Sequence, residues 1–295
     1  MKLRNAFTML ELIFVIVIMG IIGKFGVEFL AQAYRSFIYT SVNHSLQANS
    51  TSAIEFIAAR LQYRIKDSII AKVDSNASYT ALASASGSEY NVLEWIASDI
   101  DGFRGDSLPY WSGIADIGNE IGAGNKDLLV SPETNTTALN TLIDILSDSG
   151  SGINDVALYF VGSSSDIYTG YGYAGAITDQ NQTMHPVNSA TDTTFTPAPA
   201  TGSFTEVYEY YKLAWTANAI VHSSDGNLTF YYDYQPWNGE NYAADGKGQL
   251  LMQNVDTFQF MAIGSIVKIQ VCVKSDIIDG SSTGGYSLCK EKTIY

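Results

Sequence analysis

A chain of 295 residues, 46% hydrophobic and 12% aromatic, carries enough apolar material for a sizeable core, which excludes wholesale disorder. Its 30 Asp and Glu against 16 Lys and Arg give a formal net charge of −14, and with no basic stripe this excludes broad electrostatic binding to nucleic acid. Two Cys and three His leave little material for a structural zinc cluster, and a charged fraction of 16% with 19 Tyr reads as an exported protein rather than a cytosolic enzyme.

Lys2 and Arg4 open the chain, followed by an uncharged apolar run of 12 residues from Leu12 to Gly23. Counted from Phe7 the stretch is 17 residues, long enough to cross a bilayer, with Glu11 inside it and Lys24 placed to snorkel at its end. The basic residues ahead of the run hold the amino terminus in the cytoplasm and send the rest across. An ordinary secretory signal is the plain alternative, supported by Ala31-Gln32-Ala33, but Glu11, Lys24 and Glu28 have no use in one.

The segment Ala6-Phe7-Thr8-Met9-Leu10-Glu11, with the Ile/Val run behind it, resembles the prepilin processing motif of type IV pilins and type II secretion pseudopilins. The resemblance implies a basic leader, residues 1–6, removed by a prepilin peptidase between Ala6 and Phe7, and N-methylation of the new amino group on Phe7. Ala6 stands where the family usually has glycine. The implied partners are other pilin or pseudopilin subunits, an inner-membrane assembly platform and the lipid around residues 7–24. The implied place is the bacterial inner membrane, crossed once with the body periplasmic, and then a pilus or pseudopilus. A carboxylate in lipid costs about 3 kcal/mol even on lenient scales. In the family the matching acid meets the freed amine of a neighbouring subunit, so the resemblance gives Glu11 a role in filament assembly. A snorkelling Glu11 with no partner is the alternative.

No proline precedes Pro109, and apolar residues recur at helical spacing through Leu30, Ala33, Tyr34 and Phe37, then Ile54, Ile57, Leu61, Ile65 and Ile69. They predict one long helix from Phe7 to near Lys72: a transmembrane or filament-core half, residues 7–24, apolar all round, and an outer half, residues 25–73, with a single apolar stripe. Residues 74–295 then form a β-rich body. Val92–Ile96 is expected as a strand, Asp99 to Asp106 as an acidic loop, Thr136–Leu146 as a short helix and Val156–Val161 as a strand. Residues 163–202, with Pro186, Pro197 and Pro199, read as a long surface insertion. A hairpin turning at Ser223–Asn227 follows, and Gln249 to Val273 alternates as an antiparallel meander with one buried face. The fold class is therefore α+β, a long amino-terminal helix packed on a carboxy-terminal antiparallel sheet. The run from Leu250 to Phe260 followed by Ile266 to Val273 looks like the terminal sheet of the J-type pseudopilins and W-type minor pilins. That similarity implies a minor subunit that helps initiate or cap a filament.

Export places Cys272 and Cys289 in an oxidising space, where an even count favours a disulfide; two free thiols are the alternative. In the resembling family the final segment is often closed this way. Asp99, Asp101 and Asp106, and Asn238, Glu240 and Asp245, offer hard oxygen ligands, but neither run has the EF-hand spacing, so no metal is assigned. His44, His185 and His222 lie outside any nucleophile motif, and no phosphate-binding loop or His-Glu-x-x-His occurs. Each reads as a surface polar residue. No catalytic residue and no cofactor is assigned, and the chain is not expected to be an enzyme. The reading from another class is an exported protein for binding or adhesion, held by a membrane anchor or carrying a signal peptide.

Overall fold

The computed structural model describes residues 8–73, 78–85, 88–118, 127–163, 166–199, 201–205, 207–274 and 287–295; the cleavage pair Ala6 and Phe7 lies outside them. The chain divides into two units, residues 1–49 and 50–295. The first unit belongs to the long helix α1 (Met9–Gln62). Its large apolar side chains are exposed on every side, Phe14, Ile16, Ile18, Ile22 and Phe25 among them, and the stretch is long and apolar enough to cross a membrane. A helix with no polar face has nothing to offer water, so it needs lipid or another apolar surface around it.

In the second unit the last turns of α1 have one covered side. Ala53, Ile54, Ile57, Ala58 and Leu61 repeat at three- and four-residue intervals and are almost inaccessible. Phe56 meets Phe230 edge-on at 5.1 Å between ring centres, and the Arg60 guanidinium lies over both rings. The helix stops at Gln62, ten residues before the expected Lys72. Its backbone finds other partners there: Arg64 bridges Ala97, Ile65 N–H donates to the Ile96 carbonyl at 2.9 Å, and Asp67 takes a left-handed φ of 62°. Ile65 and Ile69 keep helical spacing but are buried as part of the approach to a strand.

The body then runs through β1 (Ile70–Lys72), β2 (Tyr79–Ala81), β3 (Val92–Ala97), α2 (Ile100–Arg104), β4 (Leu129–Val130) and α3 (Thr136–Leu146). It continues with β5 (Ala157–Phe160), β6 (Met184–Thr191), β7 (Thr194–Pro197), β8 (Tyr211–Ala214), β9 (Thr216–His222) and β10 (Leu228–Tyr232). β11 (Lys247–Met252), β12 (Val255–Ile263), β13 (Ile266–Lys274) and β14 (Ser287–Ile294) complete it. Three antiparallel sheets result, in the orders β11-β10-β9-β3-β1-β2, β4-β7-β6-β5-β8 and β12-β13-β14. The class is α+β, a long apolar amino-terminal helix followed by an antiparallel β body. One core gathers Ile65, Val92, Ile96, Met184, Tyr234 and Trp237; a second gathers Trp111, Leu139, Ile143, Leu158, Phe160 and Phe195.

Residues 163–202 do not all lie on the surface. They hold β6 and β7, and Met184, Val187 and Phe195 are fully buried. Pro186 fits inside β6 because its position calls on a carbonyl rather than an N–H: that oxygen accepts from Ala198 N and from the Gln180 side-chain amide.

Candidate functional site

At the start of α1, Thr8 and Glu11 form a reciprocal cap. Glu11 N–H donates to Thr8 Oγ1 at 3.3 Å, while Thr8 N–H and Thr8 Oγ1 each donate to Glu11 Oε2 at 3.0 Å. The pattern Thr-x-x-Glu satisfies two backbone donors that a helix start leaves open. Within its own chain the Glu11 carboxylate is therefore partnered by Thr8. At the other end of the apolar stretch Lys24 and Glu28 sit 3.9 Å apart on successive turns, both exposed.

Cys272 and Cys289 stand opposite each other in the β13–β14 register and are joined by a disulfide. The bond ties the last strand of the chain to its neighbour across a separation of 17 residues.

The most enclosed charged group lies elsewhere. Glu94 on β3 is 1% exposed, with Oε2 2.6 Å from Lys72 Nζ on β1 and Oε1 accepting from Tyr234 OH at 3.1 Å. The rings of Tyr79, Tyr173 and Tyr242 surround Lys72 Nζ at 5.7 to 5.9 Å, presenting electron-rich faces to the ammonium. Burial pushes the Glu94 carboxyl up, and the Lys72 charge and the hydrogen bonds from Lys72 and Tyr234 pull it back. Burial and the Glu94 charge push the Tyr173 and Tyr234 phenols well above their ordinary value. The Glu94 carboxylate meets Lys72 and Tyr234, and the Tyr173 and Tyr79 hydroxyls donate to the Ser68 and Tyr168 carbonyls, so the box ties β1, β3 and the segment around Tyr234 together. Sequence reasoning missed it because Lys72 and Glu94 become neighbours only through the pairing Ile70 with Glu94 and Lys72 with Val92.

The acidic runs are spent on loop geometry. Asp99 caps α2, accepting from Gly102 N–H and from Trp111 Nε1–H at 3.1 Å each, and burial pushes it up to about 6 against the pull of those bonds. Asp101 and Asp106 are exposed. Glu240 accepts from Gln235 N–H at 2.8 Å and Asp245 from Asn241 N–H at 2.9 Å, near Asn238 at the end of a short helical turn. Among the described residues no three His, Cys, Asp or Glu gather as metal ligands. Asn135 caps α3 through Ala138 N–H at 2.9 Å.

The histidines divide. His44 is exposed, and His222 pairs Nε2 with the Val255 carbonyl at 3.0 Å. His185 corrects the expectation of a surface residue: it is fully buried on β6, edge-on to Phe160 with ring centres 4.9 Å apart. Gln180 gives both of its amide hydrogens away, to Pro186 O and Thr201 Oγ1, so its Oε1 accepts from His185 Nδ1–H at 3.1 Å. Among the described residues His185 Nε2 has no partner, and burial holds the ring down to about 4. The two cysteines and the Thr8–Glu11 pair are each brought together; neither acidic run forms a ligand set.

No protein-family model matches this chain, and no curated protein and no solved structure matches it either.

Proposed function

We propose that this chain is a minor pilin or pseudopilin, a structural subunit that helps initiate or cap a type IV pilus or a type II secretion pseudopilus. The observation that carries the reading is a carboxylate, Glu11, near the start of a helix whose most apolar stretch has none of its residues covered. Such a helix needs apolar neighbours on all sides, and sister helices provide them as well as lipid does. Thr8 holds the acid in the isolated chain. In the filament the freed amine of Phe7 from the next subunit offers a full positive charge instead, which relieves a carboxylate in apolar surroundings and rewards assembly. The leader ahead of Phe7, the Ala6–Phe7 junction and the disulfide-tied terminal sheet fit the same reading. The partners are then a prepilin peptidase, other subunits and an assembly platform in the bacterial inner membrane, with the body on the periplasmic side.

Intact-mass analysis of the chain, produced with and without a prepilin peptidase, tests this. The expected product with the enzyme begins at N-methylated Phe7, and Glu11→Ala is processed but left out of filaments. A product beginning just after Ala33, or the same finished product in cells lacking the peptidase, overturns it in favour of an exported binding protein.

A further inference from the structure

We propose that the cleft between the last turns of α1 and the face of the six-stranded sheet is a binding site for one ring of a neutral saccharide, with the Asn218 amide as its deepest polar contact. Two adjoining cavities of about 230 and 50 Å³ make the cleft, and Arg60 from α1, Asp101 from α2, Trp215 and Asn218 border both. The strand register builds its floor. Ile220 pairs with Phe230 and Phe230 with Gln249, so Asn218, Phe230, Tyr232 and Gln249, at two-residue steps on neighbouring strands, share the side of the sheet that α1 covers through Phe56.

Asn218 is the residue that calls for a ligand. It is 2% exposed and borders both cavities, yet among the described residues its side-chain amide has no hydrogen-bond partner. Trp95, opposite it on β3, likewise leaves Nε1–H unpaired among the described residues. Thr216 offers no relief, since its hydroxyl donates to Ala217 O at 2.7 Å and accepts from Asp233 N–H at 2.8 Å. Buried amides are ordinarily satisfied, so one held unpaired costs stability that a bound hydrogen-bonding molecule returns. The rest of the wall selects the chemical class. Phe230 and Tyr232 lie nearly parallel with ring centres 5.7 Å apart, and the partly exposed Tyr232 is a platform for the C–H face of a sugar ring. Arg60 lies across Phe56 and Phe230 at 5.4 and 5.9 Å, which sets its guanidinium in the wall as a donor. One cation and one anion, Arg60 and Asp101, leave the lining without net charge, which favours neither a phosphate nor an ammonium. Asn218 and Gln249 each offer a donor and an acceptor, the match for hydroxyls, which do both. A volume below the roughly 300–1,000 Å³ of sites for drug-sized molecules limits the occupant to about one ring.

Saturation-transfer NMR on the full chain, held in a detergent with no sugar head group, tests the site. The probes are glucose, galactose and N-acetylglucosamine, with N-acetylglycinamide standing in for a peptide. Saturable transfer to at least one sugar is expected, with a dissociation constant in the millimolar range, about what a single ring secures at ordinary ligand efficiency. Asn218→Leu should weaken that binding by about tenfold, the size of one lost hydrogen bond to a buried amide. Its thermal midpoint should be unchanged or raised, because an unpaired amide leaves the interior. Should that variant fail to fold, the exposed Gln249→Ala, expected to weaken binding by about threefold with the fold intact, decides in its place. No saturable transfer to any sugar, transfer to N-acetylglycinamide alone, or native affinity in the deciding variant overturns the proposal.

Discussion

In the six-stranded sheet the buried Glu94 is met by a cation, with Lys72 against one oxygen and a ring of tyrosines around the ammonium. In the five-stranded sheet the buried His185 gives up its charge, with Gln180 on one nitrogen and, among the described residues, nothing on the other. The two interiors pay for polarity differently. A charge pair depends on its partner being present. A lone neutral ring depends on the pH staying above the point where its proton returns.

Breaking the pair is the largest expected effect. Glu94→Gln strands the Lys72 ammonium among tyrosines and should cost about 3–5 kcal/mol in denaturant unfolding, whereas Lys72→Met/Glu94→Leu should recover most of that. A loss below about 1 kcal/mol for Glu94→Gln would mean that the pair is not ionised in the fold. Next comes the three-stranded sheet, whose integrity rests on neither device. Cys272→Ser/Cys289→Ser opens a loop closed over 17 residues and should lower stability by about 3 kcal/mol. Measured with and without reductant, only the native chain should respond.

The pH experiments sharpen the contrast. His185, held down to about 4 in the fold, binds fewer protons folded than unfolded, so its contribution is lost as the pH falls from about 6.5 toward 4. Asp99, which hydrogen-bonds Trp111 of the same core and is pushed up to about 6, binds more protons folded than unfolded. Its penalty therefore grows as the pH rises from about 4 to 6. The two slopes oppose each other in one window. Compared with the native chain at each pH, Asp99→Asn should gain about 2–3 kcal/mol on going from pH 4 to 6, and His185→Gln should gain a similar amount on going from 6.5 to 4. Urea unfolding at a series of pH values reads both, and parallel profiles would contradict the assignment. The smallest effect belongs to the exposed pair Lys292–Glu55, 2.7 Å apart: Lys292→Ala should cost less than about 1 kcal/mol, a difference that salt erases.

The parts of the fold legible in the sequence are those whose local chemistry agrees with their tertiary setting. Thr136–Leu146 could be read because Asn135 is a good cap and Leu139 and Ile143 fall on one side. The alternation in Val267, Ile269 and Val271 likewise matches the one-sided burial of β13. The helix end was misplaced because Ile65 and Ile69 carry on the right spacing, while the decision to stop is made by Ile96 and Ala97, thirty residues away along the chain. β6 and β7 were hidden by Pro186, Pro197 and a Ser/Thr-rich composition that suits a loop equally well. His185 went with them, since nothing beside it in sequence marks its burial. At the amino end, Glu11 stood out from the sequence as a charge in an apolar run, but its bond to Thr8 was overlooked although the three-residue spacing would have betrayed it.

The join between Gln62 and β3 has a mechanical consequence. Ile65 N–H donates to the Ile96 carbonyl and the Tyr63 carbonyl accepts from Ser98 N–H, directly after the last helical turn, so the end of the helix passes straight into contact with the sheet. Tension applied to the last turns of α1, within the second unit, is delivered at once to a strand flanked by β1 and β9, where several hydrogen bonds must fail together before anything yields. A swivel there would have required free residues that this chain does not spend.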